Sequence, residues 1–351
     1  MASHAIQYFT KKENRLKTLS TNSFLIIGAQ RSGTSLLTRI LNQHPQLAVP
    51  PESFFFNTFV PLQRFYGDLD DNSNLDRFID DVLATPKVSE WSPTPTRPEI
   101  LARLSARNQG AVFTALMETW AESQGKSKWG EKTPHHVFFW SEICEYLPDA
   151  PVVHIVRDGR DVALGLINAR FGPKSVYAGA SRWSRWMTAI DQIRDATPAE
   201  RFHQISYEDL LLTPEETVGG ICDFLGVDYD SRMLEFHNDQ SLYSGYAAEH
   251  ANLNKPLLTD KVAGWRRNMR ESDIAVFESI AAAHLEQYGY PVTNESARLS
   301  GLQHLYYKWI DDKVRKAVGL LRNRQGQSEE LRLLWMRMRL LGRYLVSRPR
   351  A

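Results

Sequence analysis

The sequence predicts an α/β protein, a P-loop-like parallel sheet flanked by helices with a helical C-terminal extension. Three observations predict it. Apolar runs of strand length stand at residues 24–27, 151–156 and 202–206. Each leads through small or polar residues into a segment with helical spacing of apolar positions, the alternation of a parallel βα sheet. The first run enters a loop of small residues, 28–34, that opens a helix. The 351 residues suffice for one large domain with an appendage. An apolar content of 42% and a charged content of 24% are those of a globular chain.

The stretch FLIIGAQRSGTSLLTRILNQHPQLAVPPE, residues 24–52, organises the rest. Leu36, Leu37, Ile40 and Leu41 give residues 35–43 a helical face. A strand, a glycine-bearing loop and a helix N-terminus bring backbone N–H groups together around a phosphate or sulfate. Arg31 adds a cation, and Ser32, Thr34 and Ser35 add hydroxyls. Gly28 and Gly33 have the spacing of the nucleotide phosphate loop, and Ser35 stands at its magnesium-binding hydroxyl. Its lysine position, however, is Thr34, so the cation that reaches the β and γ phosphates is missing.

Further along, Phe54, Phe55, Phe56 and Phe59 crowd the segment after Glu52, either as core or as an acceptor surface. Residues 74–84, 97–107 and 109–123 read as helices. The proline-rich segment 92–98 between the first two is irregular, a lid or a plain surface connection. Residues 129–131 read as a short strand ending at Lys132, and Pro134 starts a helix to about residue 146. After the second apolar run comes RDGRD, in which Arg157 and Arg160 alternate with Asp158 and Asp161. Residues 177–196 form an amphipathic helix with Trp183, Trp186 and Met187 on its core face, 236–264 are irregular, and 271–288 close the domain.

Charge is unevenly distributed. Residues 301–351 hold 12 Lys/Arg against 4 Asp/Glu, while the whole chain nets +1. Two helical stretches, 305–321 and 329–346, carry that excess. They pack on the domain, contact a second copy, or lie on an anionic membrane surface. The polar first 20 residues contain no hydrophobic leader, and no window approaches the roughly 18 apolar residues of a spanning helix. These features predict a cytoplasmic protein with optional contact to a membrane surface. Cys144 and Cys222 are too few for a disulfide framework and have no metal-ligand spacing, so two reduced, buried thiols are expected.

QRSGTS after a buried strand resembles the 5′-phosphosulfate loop of sulfotransferases, which use 3′-phosphoadenosine 5′-phosphosulfate (PAPS). Its spacing is nearest to the tyrosylprotein-sulfotransferase-like branch and its bacterial relatives. The resemblance covers about residues 23–290, with residues 1–22 as an N-terminal extension and 291–351 as the basic helical one. It implies that Ser32, Gly33, Thr34 and Ser35 bind the donor with Arg31, which also acts in catalysis. It implies that Glu52, 21 residues after Arg31, is the general base, and that Lys132 in EKTP belongs to the catalytic centre. Arg157, after the second strand, would bind the 3′-phosphate. The family serine eight residues later is Gly165 here, with Arg160 and Arg170 as substitutes to consider. Tyr207 in the Y-E-x-L segment lies near the nucleotide in relatives, or packs. Lys255 and Trp265 match a segment that closes over the nucleotide, although the fuller R-K-G signature is absent. A histidine base in another branch makes His135 and His136 runners-up.

The function so implied is metal-independent transfer of a sulfuryl group from PAPS to a hydroxyl or amine. The acceptor is a small molecule, carbohydrate, lipid or peptide, and not a nucleic acid. Two rivals belong to other classes. A P-loop kinase or NTPase requires the missing lysine. A non-catalytic protein binding polyanions or membrane surfaces would rest on the basic tail alone.

Overall fold

The structure, a computed structural model, describes residues 22–169, 172–238, 253–293, 299–311 and 338–339. β1 (Ser23–Ile27) leads into α1 (Thr34–Asn42) and then β2 (Leu47–Ala48). Next come α2 (Phe55–Phe59), α3 (Asn72–Leu83), α4 (Arg97–Arg103) and α5 (Gln109–Ser123), which cross over to β3 (Lys128–Glu131). α6 (Trp140–Tyr146) precedes β4 (Val152–Val156), which is followed by α7 (Gly159–Asn168) and α8 (Val176–Ala196). β5 (Phe202–Ser206) runs directly into α9 (Tyr207–Leu212) and α10 (Pro214–Leu225). α11 (Trp265–Asn268), α12 (Glu271–Gln287) and α13 (Gly301–Tyr306) complete the described helices.

The five strands form one parallel sheet in the order β2-β3-β1-β4-β5. β1 lies in the middle, with Phe24 opposite Gly130 of β3 and Ile26 opposite Val153 of β4. Its alternate side chains enter two cores. Phe24 and Ile26 pack with Leu37, Ile40 and Leu41 of α1 and with Val218 and Ile221 of α10. Leu25 and Ile27 belong to the opposite core, with Val112 and Leu116 of α5 and Trp183 and Met187 of α8. Burial on both faces is why β1 reads as an unbroken apolar run and not as an alternation. The loops after β1, β3, β4 and β5 all leave from the carboxyl edge. The strand order reverses at β1, so the crevice opens there, beside the small-residue loop.

Local differences from the sequence reading have simple causes. β2 is two residues long, too short for a periodic signal; Asn42 pins its exit by donating to Val49 O (2.6 Å) and accepting from Val49 N–H (2.8 Å). The irregular proline segment stops at Thr96, because Thr96 and Glu99 form a capping box and Pro98 occupies the first turn of α4. α4 ends at Arg103, four residues early, as Leu104 turns extended. Residues 134–146 begin as a 3₁₀ turn, Pro134–Phe139, before α6. Cys222 is buried as expected, but Cys144 is only half-buried.

Of the basic extension, α13 and a π turn at Tyr307–Asp311 are described, and Tyr307 stacks on Tyr177 of α8 at 5.5 Å. Apart from residues 338–339, the remainder of the two tail helices lies outside the described residues, as do the N-terminal extension up to residue 21, residues 239–252 and Arg170. No described helix is long and apolar enough to cross a membrane.

Candidate active site

The loop between β1 and α1 closes tightly against its neighbours. A Cβ on Gly28 would stand 2.7 Å from the Ile155 carbonyl oxygen. Gly33 has φ +97°, and a Cβ there would meet the Tyr207 ring at 2.4 Å, so only glycine fits. Gly33 caps α1 without a side chain, and the first turn carries no acidic residue. The leading N–H groups of α1 therefore have no local side-chain acceptor. Ser32 Oγ is completely buried and lacks a hydrogen-bond partner, as does Gln30 Oε1. Buried polar atoms of this kind are ordinarily satisfied. Here they line a positively biased helix start.

At one end of the loop stand Glu52 and Lys132. Glu52 sits on the turn between β2 and α2, and Lys132 directly follows β3. Lys132 Nζ donates to Glu52 Oε1 at 2.7 Å and to Ser35 Oγ, in the first turn of α1, at 3.4 Å. The lysine side chain is 2% exposed and the glutamate 27%, so the ammonium lies beneath a carboxylate that faces the crevice.

The alternation of β3 sends the preceding residue, Glu131, to the opposite face, into a network the sequence did not reveal. Glu131 is buried, accepts from Ser53 Oγ (3.2 Å) and pairs with His136 Nδ1 (2.9 Å). His136 Nε2 accepts the Phe56 N–H at 3.2 Å. That bond places the ring proton on Nδ1, the nitrogen that lies 2.9 Å from Glu131 Oε1. His136 therefore braces the turn that carries Glu52, through Nε2 on the Phe56 N–H and through its closeness to Glu131. Phe54 on that turn adopts φ +53° and stays half-buried beside the His135 ring, whereas Phe55, Phe56 and Phe59 are core. His135 Nδ1 faces Gln30 Nε2 at 3.5 Å. Burial, helped by the Arg182 charge, lowers its pKa to about 4, leaving a neutral ring that accepts from the glutamine. The one sequence clue to this brace was the acidic residue directly before Lys132.

At the other end, Arg157 leaves β4 with 16% of its side chain exposed. Its guanidinium lies 4.1 Å over the Tyr207 ring and donates to two carbonyls, Arg31 O (3.3 Å) and Lys261 O (3.2 Å). Asp161 is no closer than 4.0 Å, and Arg157 Nε is buried without a partner. Burial first, with the Arg157 charge opposing it, raises the Tyr207 pKa. Arg31 takes a left-handed backbone, φ +70°, and its side chain crosses α7 at Gly165.

Arg160 plays no part in this crevice. It is fully buried between Asp158 (2.8 Å) and Glu278 (2.7 Å), donates to Pro291 O, and stacks on Trp265 at 3.7 Å. Trp265 itself is core and gives its backbone N–H to Asp161 Oδ1. Lys255 is exposed on the stretch that leads to the Thr259–Lys261 turn. Glu208, the acidic residue of the Y-E-x-L segment, accepts from Asp158 N–H and from Tyr290 O–H, and burial raises its pKa.

A family model described as the sulfotransferase family matches residues 23–231. Among curated proteins, the chain is 23% identical over 303 residues to nodulation protein NoeE of Sinorhizobium fredii, covering 79% of this chain and 68% of that protein. It is 21% identical over 285 residues to protein-tyrosine sulfotransferase A of Caenorhabditis elegans, covering 77% and 68%. An uncharacterised Aquifex aeolicus protein is 22% identical over 76% of this chain, and the chain spans only 34% of its length. Among solved structures, the sulfotransferase domain of the Synechococcus PCC 7002 olefin synthase superposes with a TM-score of 0.56 at 21% identity, covering 78% of this chain and 96% of that domain. The sulfotransferase domain of the curacin biosynthetic pathway superposes with a TM-score of 0.54 at 16% identity, covering 77% and 99%.

Proposed function

The chain belongs to the sulfotransferase family, and on that premise we propose that it transfers a sulfuryl group from PAPS to a hydroxyl or amine, with Glu52 as general base. The observation that carries the reading is the junction of Glu52, Lys132 and Ser35. A crevice-facing carboxylate, a buried ammonium and the first turn of an anion-binding helix meet within hydrogen-bond distances.

The residues suit such a donor. Ser32 Oγ and Arg157 Nε are buried and unpartnered, and the start of α1 has no side-chain acceptor of its own, so each has a place for an anionic oxygen. Ser32, Gly33, Thr34 and Ser35 would hold the 5′-phosphosulfate, and Arg157 the 3′-phosphate, with Tyr207 beneath it. When bound, the donor supplies an activated sulfuryl group. Lys255 is proposed as a contact of the covering segment.

The chain's own residues would divide the work. Glu52 orients the acceptor and takes its proton on the carboxylate, a role ordinarily contributing ~10²–10⁴-fold. Lys132, already donating to Glu52 and Ser35, holds the carboxylate in place and offers positive charge where a leaving oxygen develops negative charge. Glu131, Ser53 and His136 fix the turn from below. Half-buried Phe54 and the neutral His135 ring would form the acceptor side of the crevice, a surface for the apolar body of a small molecule, carbohydrate, lipid or peptide.

The test is transfer of radiolabelled sulfate from PAPS to a mixed panel of aryl, sugar and lipid hydroxyls, with donor binding measured in parallel. Glu52→Gln is expected to bind donor normally and to lose ~10²–10⁴-fold in turnover. Undiminished transfer by Glu52→Gln would remove Glu52 as the base. Magnesium-dependent ATP binding without affinity for adenosine 3′,5′-bisphosphate would return the kinase reading.

A further inference from the structure

Leu302, Leu305, Tyr306, Trp309 and Ile310 recur at the i, i+3, i+4, i+7, i+8 spacing of one helix face. Comparable spacing buries Leu37, Ile40 and Leu41 in α1. Along α13 and the π turn after it, the five residues are instead 49–81% exposed. Elsewhere in the described domain the exposed large apolar residues, Leu101, Leu212 and Tyr229, are scattered. We infer that this face of α13 lies on an anionic membrane surface, held by insertion of its apolar side chains and by the basic charge of the tail.

The way the tail is tied to the domain leaves that face outward. His304 and Tyr307, half-buried, make the contacts to α8: the Tyr307 ring stacks on Tyr177 at 5.5 Å, and the Tyr177 hydroxyl lies 3.3 Å from His304 Nδ1. A second tie is Arg339, which donates to the buried Asp81 carboxylate, itself an acceptor from the Tyr66 hydroxyl at 3.2 Å; its neighbour Met338 is exposed. Polar and aromatic side chains thus hold the tail, and aliphatic ones face out. The charge says what covers them. Residues 301–351 hold 12 Lys/Arg against 4 Asp/Glu in a chain that nets +1, so attraction to anionic lipid belongs to the tail and not to the acidic remainder. The Lys308 ammonium lies 5.8 Å over the Trp309 ring, an amphipathic pair suited to a headgroup layer. A second copy would set two such basic surfaces against each other, and like charges facing across an interface oppose it.

The experiment is co-sedimentation of the full chain with phosphatidylcholine vesicles, with and without phosphatidylserine. The wild type is expected to sediment with the phosphatidylserine vesicles, to stay in solution with phosphatidylcholine alone, and to be released as salt is raised. Leu305→Ser combined with Trp309→Ser changes two exposed residues, so Tm should hold while vesicle affinity falls by about 10-fold or more. A folded wild type that ignores phosphatidylserine vesicles would overturn the assignment. Equal binding to both vesicle types, or undiminished binding by the double variant, would do the same. A wild-type dimer that the double variant turns into a monomer, without vesicle binding, would give the face to a second copy instead. Vesicle binding needs no sulfuryl donor, so these outcomes are independent of transfer activity.

Discussion

Arg157 and Arg160 stand three residues apart after the same strand, and their surroundings are opposite. Arg160 is sealed between two carboxylates and an indole, with no exposed surface and its charge neutralised within the protein. Arg157 has carbonyl oxygens and an aromatic face as its neighbours, its nearest carboxylate at 4.0 Å and one nitrogen unpartnered. Carbonyls and rings orient a guanidinium without cancelling its charge, whereas carboxylates cancel it. The comparison separates a cation that holds the fold from one that is kept for an anion, although both sit in a single RDGRD motif.

The largest expected effect breaks the structural half of the pair. Arg160→Met leaves Asp158 and Glu278 as buried, unpaired charges, and losing one partner of such a pair costs about 3–5 kcal/mol. Chemical denaturation should show that loss, or no folded protein at all. Arg157→Ala should show the reverse pattern. Its Tm stays close to wild type, and the affinity for adenosine 3′,5′-bisphosphate falls by roughly 10–100-fold, the range of a hydrogen bond to a charged group. If Arg160→Met and Arg157→Ala lost stability alike, the two sites would not differ in kind.

A further effect concerns acid and accrues gradually with pH. Burial lowers the pKa of His135 to about 4 and of His154 to about 3, below the ordinary histidine value near 6.5. Both rings stay neutral in the folded protein, while unfolded histidine gains a proton below about pH 6.5. Their contribution to stability is therefore present above that pH and is lost as pH falls toward 4 and 3. The slope is at most about 1.4 kcal/mol per pH unit for each ring. Melting curves between pH 7 and pH 4 should show the decline, and His154→Gln should flatten it.

Much of this was legible in the sequence where the relevant residues are adjacent. The β1–loop–α1 unit, α5 and α8 follow from contiguous apolar spacing, and the anion loop follows from its glycines and hydroxyls. What was not legible depends on contacts far apart in the chain. Glu278, 118 residues beyond Arg160, decides that arginine's role, and no local pattern announces it. Lys132 meets Glu52 across 80 residues because β3 places it beside the turn after β2. Gly165 read as a lost serine; the structure fills its place with the Arg31 stem. The aromatic run after Glu52 divides into three core rings and one half-buried ring only because Phe54 takes a left-handed backbone.

The central claim, a crevice built for an adenosine donor carrying phosphates at both ends, is tested most directly by calorimetric titration with adenosine 3′,5′-bisphosphate in the absence of magnesium. Saturable binding by the wild type, lost in Arg157→Ala while that variant melts normally, is the predicted result. A folded wild-type protein that gives no binding heat with the bisphosphate, yet binds ATP when magnesium is added, would contradict it.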